Sequence, residues 1–191
     1  MNLNTIFFIG PQGSGKGTQA KKLAAKLGFF YWEMGGILRE VAAENTTLGK
    51  EIKGLIENGV LLPDEKLWEV VTMRLERISK NSGVIFDGIP RRINQAEWLL
   101  EYLKNQGRED FTTLFIDVPK EESVKRILER SKKEGRADDT EKLVEKRLKQ
   151  YYESTLPVVE YLKNNTNFFE IDGRPPVEDV TIEIASAIGV K

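Results

Sequence analysis

The sequence predicts an α/β fold in three layers, a five-stranded parallel sheet with helices on both faces. Two observations carry that expectation. Short apolar, β-favouring runs alternate with helical patterns along all 191 residues, as expected of parallel strands buried on both sides. The first run, Thr5-Ile6-Phe7-Phe8-Ile9, also breaks at Gly10-Pro11-Gln12-Gly13-Ser14-Gly15-Lys16-Gly17-Thr18 before Gln19 to Leu27 reads as helix. Strand, glycine loop, lysine and helix, in that order, make a phosphate-binding P-loop.

The loop's chemistry follows from its residue types. Its glycines let backbone N–H groups turn inward toward an anion, and the helix N-terminus adds a positive dipole end. Lys16 supplies a mobile point charge for outer phosphates. Gly13, Ser14, Gly15, Lys16, Gly17 and Thr18 are therefore expected to hold a nucleotide's phosphates. A glycine turn that merely caps a helix needs neither the lysine nor the preceding buried strand. Gly17 departs from the general pattern, in which Ser or Thr follows the lysine and ligates magnesium. Here the hydroxyl comes one place later, at Thr18.

The remaining elements are read in order. Phe29 to Glu33 is a second strand, broken by Met34-Gly35-Gly36. Ile37 to Glu44 and Thr47 to Glu57 are short amphipathic helices, the second closed by Asn58-Gly59. Val60 to Asp64 is a linker with Asp64 as an N-cap, and Leu67 to Ile78 is helix. Gly83 to Asp87 is a third strand and Asn94 to Gln106 a helix. Thr112 to Val118 is a fourth strand, followed by helix from Lys120 to Ser131 and a polar loop from Lys132 to Asp138. Thr140 to Tyr161 is a long helix interrupted near Pro157. Asn167 to Asp172 is the fifth strand, and Val177 to Ile188 a closing helix.

Composition removes several function classes. Lys+Arg is 29 against Asp+Glu 30, a formal net charge of -1, so no global basic field points to nucleic acid or a membrane surface. With no Cys and no His, disulfides, thiolate chemistry and Cys/His zinc sites are excluded, as is the usual general base at neutral pH. No leading apolar run or stretch of about 20 apolar residues suggests export or a membrane span. A cytoplasmic protein is expected.

Asp87 ends a buried strand, where ligands of open α/β sheets bind, and can hold magnesium through its water shell. The arginines form a second constellation. Arg39, Arg91, Arg92, Arg126, Arg130, Arg136 and Arg147 gather at loop edges and flanking helices. Guanidinium groups bind phosphate bidentately, so the set implies a second anionic ligand beside the nucleotide. An acceptor phosphate is already largely ionised near neutral pH and needs no base. Lysine, arginines and magnesium without histidine thus suit phosphate-to-phosphate transfer.

At this point the residues match a known family. The chain resembles adenylate kinase, within the nucleoside monophosphate kinases, over essentially its whole length. The stretch from Gly10 to Gln19 is similar to that family's P-loop, including Gly17 then Thr18. Asp87-Gly88-Ile89-Pro90-Arg91 with Gln95-Ala96-Glu97 resembles its second signature. Arg126 and Arg130 fall on its paired arginines, Arg136-Ala137-Asp138-Asp139 on its Arg-x-Asp-Asp, and Arg147, Tyr151 and Pro157 continue the pattern.

The resemblance implies a P-loop NTPase-type kinase of one domain, 1–191, with a helical monophosphate-binding insert at 33–62 and a short lid at 131–138. The long lid with zinc-ligand cysteines is absent. It implies MgATP and AMP/ADP as ligands, no zinc, and a monomer. Arg126 and Arg130 would join the loop around ATP. Met34, Gly35, Arg39, Leu62, Gly88, Arg91, Gln95, Arg136 and Arg147 would form the AMP site, with Gln95 reading the base. Lys16, Arg91, Arg126, Arg136 and Arg147 would be catalytic, and Asp87 would hold magnesium through water. One region departs: the family's Thr-Gly-Asp before the acceptor-site arginine is Met34-Gly35-Gly36 here. That keeps open a UMP/CMP-type or broad monophosphate kinase, and more remotely a nucleotide-binding module without turnover. Arg92 has no assigned role.

Overall fold

The computed structural model describes residues 3–58, 60–134 and 141–190. Its strands are β1 (Thr5–Ile9), β2 (Phe30–Glu33), β3 (Val84–Asp87), β4 (Phe111–Asp117) and β5 (Asn167–Asp172). They form one sheet in the order β2-β3-β1-β4-β5, and every pairing is parallel. The helices are α1 (Lys16–Leu27), α2 (Met34–Ala43), α3 (Thr47–Glu57), α4 (Asp64–Leu75), α5 (Ile93–Asn105), α6 (Lys120–Glu134), α7 (Glu141–Gln150), α8 (Leu156–Asn165) and α9 (Val177–Ala187).

The strand residues alternate between two cores, as a pleated strand requires. Ile6, Phe8, Ile85, Leu114 and Ile116 pack with Leu23 and Ala24 of α1 and Val180 and Ile184 of α9. Phe7, Phe86 and Trp32 face the other way, against Val70 and Val71 of α4, Leu99 and Leu103 of α5 and Leu162 of α8. Phe7 stacks on Phe86 with ring centroids 5.2 Å apart, and Trp32 lies 5.5 Å beyond it. The central strand β1 is therefore clamped on both faces, and its carboxyl end opens straight into the glycine loop. On the flank of this second core Trp68 of α4 stacks on Trp98 of α5 at 4.0 Å and 21°, and Trp98 stacks on Tyr102 at 5.0 Å. At the opposite end of the sheet, buried Arg108 donates to the carbonyls of Asn4, Ser79 and Ser82.

Several boundaries differ from the sequence expectation. Helix α1 starts at Lys16, three residues early, because Gly15 adopts a left-handed conformation (φ 90°) as its N-cap. The second strand ends at Glu33 as expected, but helix α2 starts at Met34, three residues before Ile37, so Gly35 and Gly36 lie in its first turn. Burial of Met34, Ile37 and Val41 on one face outweighs the helix penalty of two glycines, about 1 kcal/mol each. Asp64 is not the N-cap of α4. Pro63 takes that position, and Asp64 opens the helix with its carboxylate engaged elsewhere. The helix α6 continues to Glu134, through the first half of the expected polar loop. The long helix past 140 is α7, a π-helical turn from Tyr151 to Thr155, and α8. Pro157 lacks a donor and its ring crowds the carbonyl four residues back, and the wider π turn sits where that crowding falls.

Helices α2 and α3 meet closely. Thr46 caps α3, accepting from Gly49 N at 2.9 Å. A Cβ on Gly49 would lie 2.4 Å from the Glu44 carbonyl oxygen and 2.6 Å from that of Val41. Alanine favours helices over glycine by up to about 1 kcal/mol, but two backbone oxygens cannot yield. Gly49→Ala is therefore expected to destabilise by about 1–3 kcal/mol, the range for overpacking, read as a lower urea midpoint with unchanged m.

Candidate active site

Three strand ends converge on one cleft: β1 through its glycine loop, β3 through Asp87 and β2 through Glu33. The loop is held from outside. A Cβ on Gly13, which has φ 83°, would lie 2.6 Å from the Ser123 carbonyl, so the loop backbone presses directly on α6. The Ser123 hydroxyl donates to the Gln12 carbonyl. Inside the loop, Lys16 Nζ donates to the Pro11 carbonyl at 3.1 Å. Ser14 Oγ and Gln12 Oε1 are buried and have no hydrogen-bond partner among the described residues. Such a hydroxyl is a donor that a ligand oxygen can take.

Asp87 is buried beside this loop, 7% exposed. Tyr31 donates its hydroxyl to Asp87 Oδ2 at 3.0 Å, and desolvation together with that carboxylate pushes the Tyr31 phenol well above its ordinary pKa. The pair lies close to Gly17. A Cβ there would lie 3.1 Å from Asp87 Oδ2 and 3.6 Å from the Tyr31 hydroxyl. A side chain following Lys16 would press on the carboxylate, so Gly17 leaves Asp87 its present position.

The cations are packed against one another. Desolvation lowers Lys16 to about 8, with Arg91 and Arg130 adding to the shift and Asp87 opposing it. Desolvation likewise lowers the pKa of Arg91, Asp87 again opposing and Arg147 adding. Arg91 Nε donates to the Gly88 carbonyl at 2.8 Å.

A cavity of about 230 Å³ joins these groups to the neighbouring helices. Its walls include Lys16, Asp87, Arg91, Arg130 and Arg147, and also Met34, Gly35, Arg39, Leu62, Gly88 and Gln95. A smaller space of about 50 Å³ shares Lys16, Arg91 and Arg147 and extends to Tyr151 and Thr155. Thr155 Oγ1 donates to the Arg91 carbonyl, so the π turn braces the residue it faces. Met34 is locked: it is buried, and Trp32 Nε1 donates to its sulfur at 3.4 Å. Arg39 pairs with Glu33 at 2.8 Å on the cavity wall.

Gln95 is fixed at both ends. Its Oε1 accepts from Arg91 N at 2.8 Å, and its Nε2 donates to Asp64 Oδ1 at 2.7 Å. Arg92 pairs with the same Asp64 oxygen at 3.0 Å, and Asn94 donates to the other at 2.5 Å. Burial alone would raise Asp64, but the hydrogen bonds from Gln95 and Asn94 and the Arg92 charge prevail and lower it. Arg92 thus braces the carboxylate that orients Gln95.

The sequence-predicted set is therefore mostly brought together. Gly13, Ser14, Gly15, Gly17 and Thr18 form the loop and first turn of α1 and do not line the cavity. Arg126 does not line it either. Its guanidinium is spent on Glu122 Oε1 at 2.6 Å and on the carbonyls of Gly173 at 2.8 Å and Arg174 at 3.1 Å. Arg130, one turn later, is the member of that pair in the cavity wall. Arg136, with Asp138 and Asp139 and the lid beyond Glu134, lies outside the described residues. Sequence reasoning missed Gln12, Tyr31, Glu33 and Gln150 as groups at the site. Among the described residues no cluster of three or more His, Cys, Asp or Glu could hold a metal ion, and no helix is long and apolar enough to cross a membrane.

A parallel sheet whose central strand feeds a lysine-bearing glycine loop defines a P-loop nucleotide-binding protein, and here one arginine-rich cavity opens beside that loop. Comparison with known proteins gives the family. The adenylate kinase family model matches residues 8–167. The chain is 39% identical over 186 residues to an adenylate kinase of Phocaeicola vulgatus, covering 97% of this chain and 98% of the relative. It is 40% identical over 185 residues to that of Thermus thermophilus, covering 97% of each. It is 37% identical over 183 residues to adenylate kinase 1 of Synechocystis, covering 96% of each. The chain belongs to the adenylate kinase family.

The Lys16 shift has a measurable sign. Below about pH 8 folded and unfolded chains both carry its proton. From there to about 10.5 the unfolded chain binds one proton more, so stability attributable to this group rises with pH. The unfolding free energy of wild type relative to Lys16→Met is expected to increase across that window and to be flat below it, as measured by urea titration at a series of pH values.

Proposed function

We propose that this protein moves the γ-phosphoryl group of ATP onto the phosphate of AMP, reversibly, giving two ADP. One observation carries the reading: a single cavity is walled by Lys16, Arg91, Arg130 and Arg147 and also by Met34, Arg39 and Gln95. Family membership supports the same reaction.

In this reading the loop residues Gly13, Ser14, Gly15, Lys16, Gly17 and Thr18 hold the ATP phosphates. The Ser14 hydroxyl, without a partner among the described residues, and the loop amides donate to the oxyanions. Arg39 and Arg91 hold the acceptor phosphate beside Gly35 and Gly88. Gln95, clamped between Arg91 N and Asp64, presents a fixed amide to the base, over an apolar wall that includes Met34 and Leu62. An acceptor oxygen attacks the γ-phosphorus as the bond to the bridging β,γ-oxygen breaks, and ADP leaves. The attacking oxygen is already ionised, so no proton is removed. Lys16, Arg91, Arg130 and Arg147 stabilise the charge on the transferring group, with Arg136 an expected addition from the lid. Arg126, expected to act with them, is bound to Glu122 and to the turn after β5. The expected insert at 33–62 and short lid at 131–138 would shield the transfer from water.

Magnesium fits the donor set. Asp87 offers a hard carboxylate oxygen, oriented by Tyr31, next to Gly17, where an added side chain would fill the space. When bound with ATP, the ion neutralises phosphate charge. Asp87 would hold it through water.

Met34 favours a second reading, a broader monophosphate kinase, since a thioether gives the base no hydrogen bond of the kind a threonine offers. A coupled assay with ATP and each of AMP, GMP, CMP and UMP separates them. We expect AMP to give the highest kcat/KM; a rate with CMP or UMP at least equal to that with AMP would assign the broader activity. ATP binding without transfer to any acceptor would identify a module without turnover. In the same assay Lys16→Ala and Arg91→Ala are each expected to lower kcat at least about 10²-fold, the scale of losing one transition-state donor.

A further inference from the structure

Arg39 does not wait for its phosphate unpaired. Its Nη2 is 2.8 Å from Glu33 Oε1, and both residues line the cavity that holds Arg91 and Gln95. Glu33 is the last residue of β2 and the N-cap residue of α2, so its carboxylate stands at the positive end of that helix. Gly36 makes the arrangement possible. A Cβ on Gly36 would lie 3.3 Å from Glu33 Oε2 and 3.4 Å from its carboxyl carbon. A side chain at position 36 would thus press against the carboxylate. The structure puts an anion of the protein's own where an anionic ligand is to bind.

We propose that Glu33 is an internal stand-in for the acceptor phosphate. It holds the Arg39 guanidinium in the empty site and must be displaced when the acceptor binds. This rests on the assignment of Arg39 to the acceptor phosphate made above. Two effects follow from charge alone. Binding must break the Glu33–Arg39 pair, and the displaced carboxylate repels the incoming phosphate. Both side chains are close to half exposed, so the effect has the size of an exposed ion pair, which corresponds to less than about a five-fold change in affinity. It is also screened by salt. The consequence is specific: acceptor affinity is lowered while donor affinity is untouched, and Arg39 stays ordered in the absence of ligand.

The experiment is a double-mutant cycle on the full chain with Glu33→Gln, which keeps shape and removes charge, and Arg39→Ala. KM for AMP and for ATP are measured in the coupled assay, and AMP binding by calorimetry, at low and high ionic strength. We expect Glu33→Gln to tighten AMP about three- to five-fold at low salt, with the gain shrinking in high salt and KM for ATP unchanged. In the Arg39→Ala background the same substitution should lose most of that gain. Unchanged or weaker AMP binding in Glu33→Gln, with Arg39→Ala still weakening AMP, would overturn the stand-in role and leave the acceptor site intact. An Arg39→Ala variant that binds AMP as wild type does would instead overturn the assignment of Arg39 to the acceptor.

Discussion

Like charge packed into a desolvated cleft sets the terms for the rest of this molecule. Lys16 and Arg91 both lose basicity to burial and to their cationic neighbours. Such a site would push itself apart if nothing opposed it. The fold opposes it with the countercharge of Asp87 and with fixed dipoles. The Pro11 carbonyl holds Lys16 and the Gly88 carbonyl holds Arg91. Carbonyls orient a cation without cancelling it, so the cleft keeps its positive field for a polyphosphate. Asp87 is the buried exception among the lining groups, and it too is tied down, by Tyr31.

This explains the architecture around the site. The loop must be rigid to point its amides inward, and α6 presses on it from behind through the Ser123 carbonyl. The sheet must deliver three strand ends to one place, and parallel pairing puts Glu33 in register with Asp87. In this chain every charged group whose bonds are described above is held by a backbone or side-chain partner.

What the sequence made legible was local. The β1 run, the glycine loop and Lys16 occupy consecutive positions, and the strands came within a residue or so because buried parallel strands are short and continuously apolar. Asp87 was legible as a carboxylate ending such a run. What escaped depends on partners far along the chain. Tyr31 gains its meaning from Asp87, 56 residues away, and Gln95 from Asp64, 31 away. No periodicity marks such pairs. Met34-Gly35-Gly36 ends the strand as its residues suggest, but the helix begins there and not at Ile37, because local propensity is weak against the burial of Met34, Ile37 and Val41. The arginine pair was found by its spacing, but which of Arg126 and Arg130 faces the cleft depends on the turn after β5, which spacing does not encode. Arg92 looked superfluous until Asp64 was seen beneath it.

The Trp68–Trp98 stack has an optical consequence. Two indoles at 4.0 Å and 21° are close enough for their electronic transitions to couple, so they absorb as a joint chromophore with a circular dichroism of its own. One indole rides on α4 and the other on α5, the same two helices that Asp64 and Gln95 tie together a few residues away. A displacement of one helix against the other changes the overlap of the rings and the sign or size of that signal. The chain thus carries, without any label, a spectroscopic gauge on the joint that positions its base-facing amide.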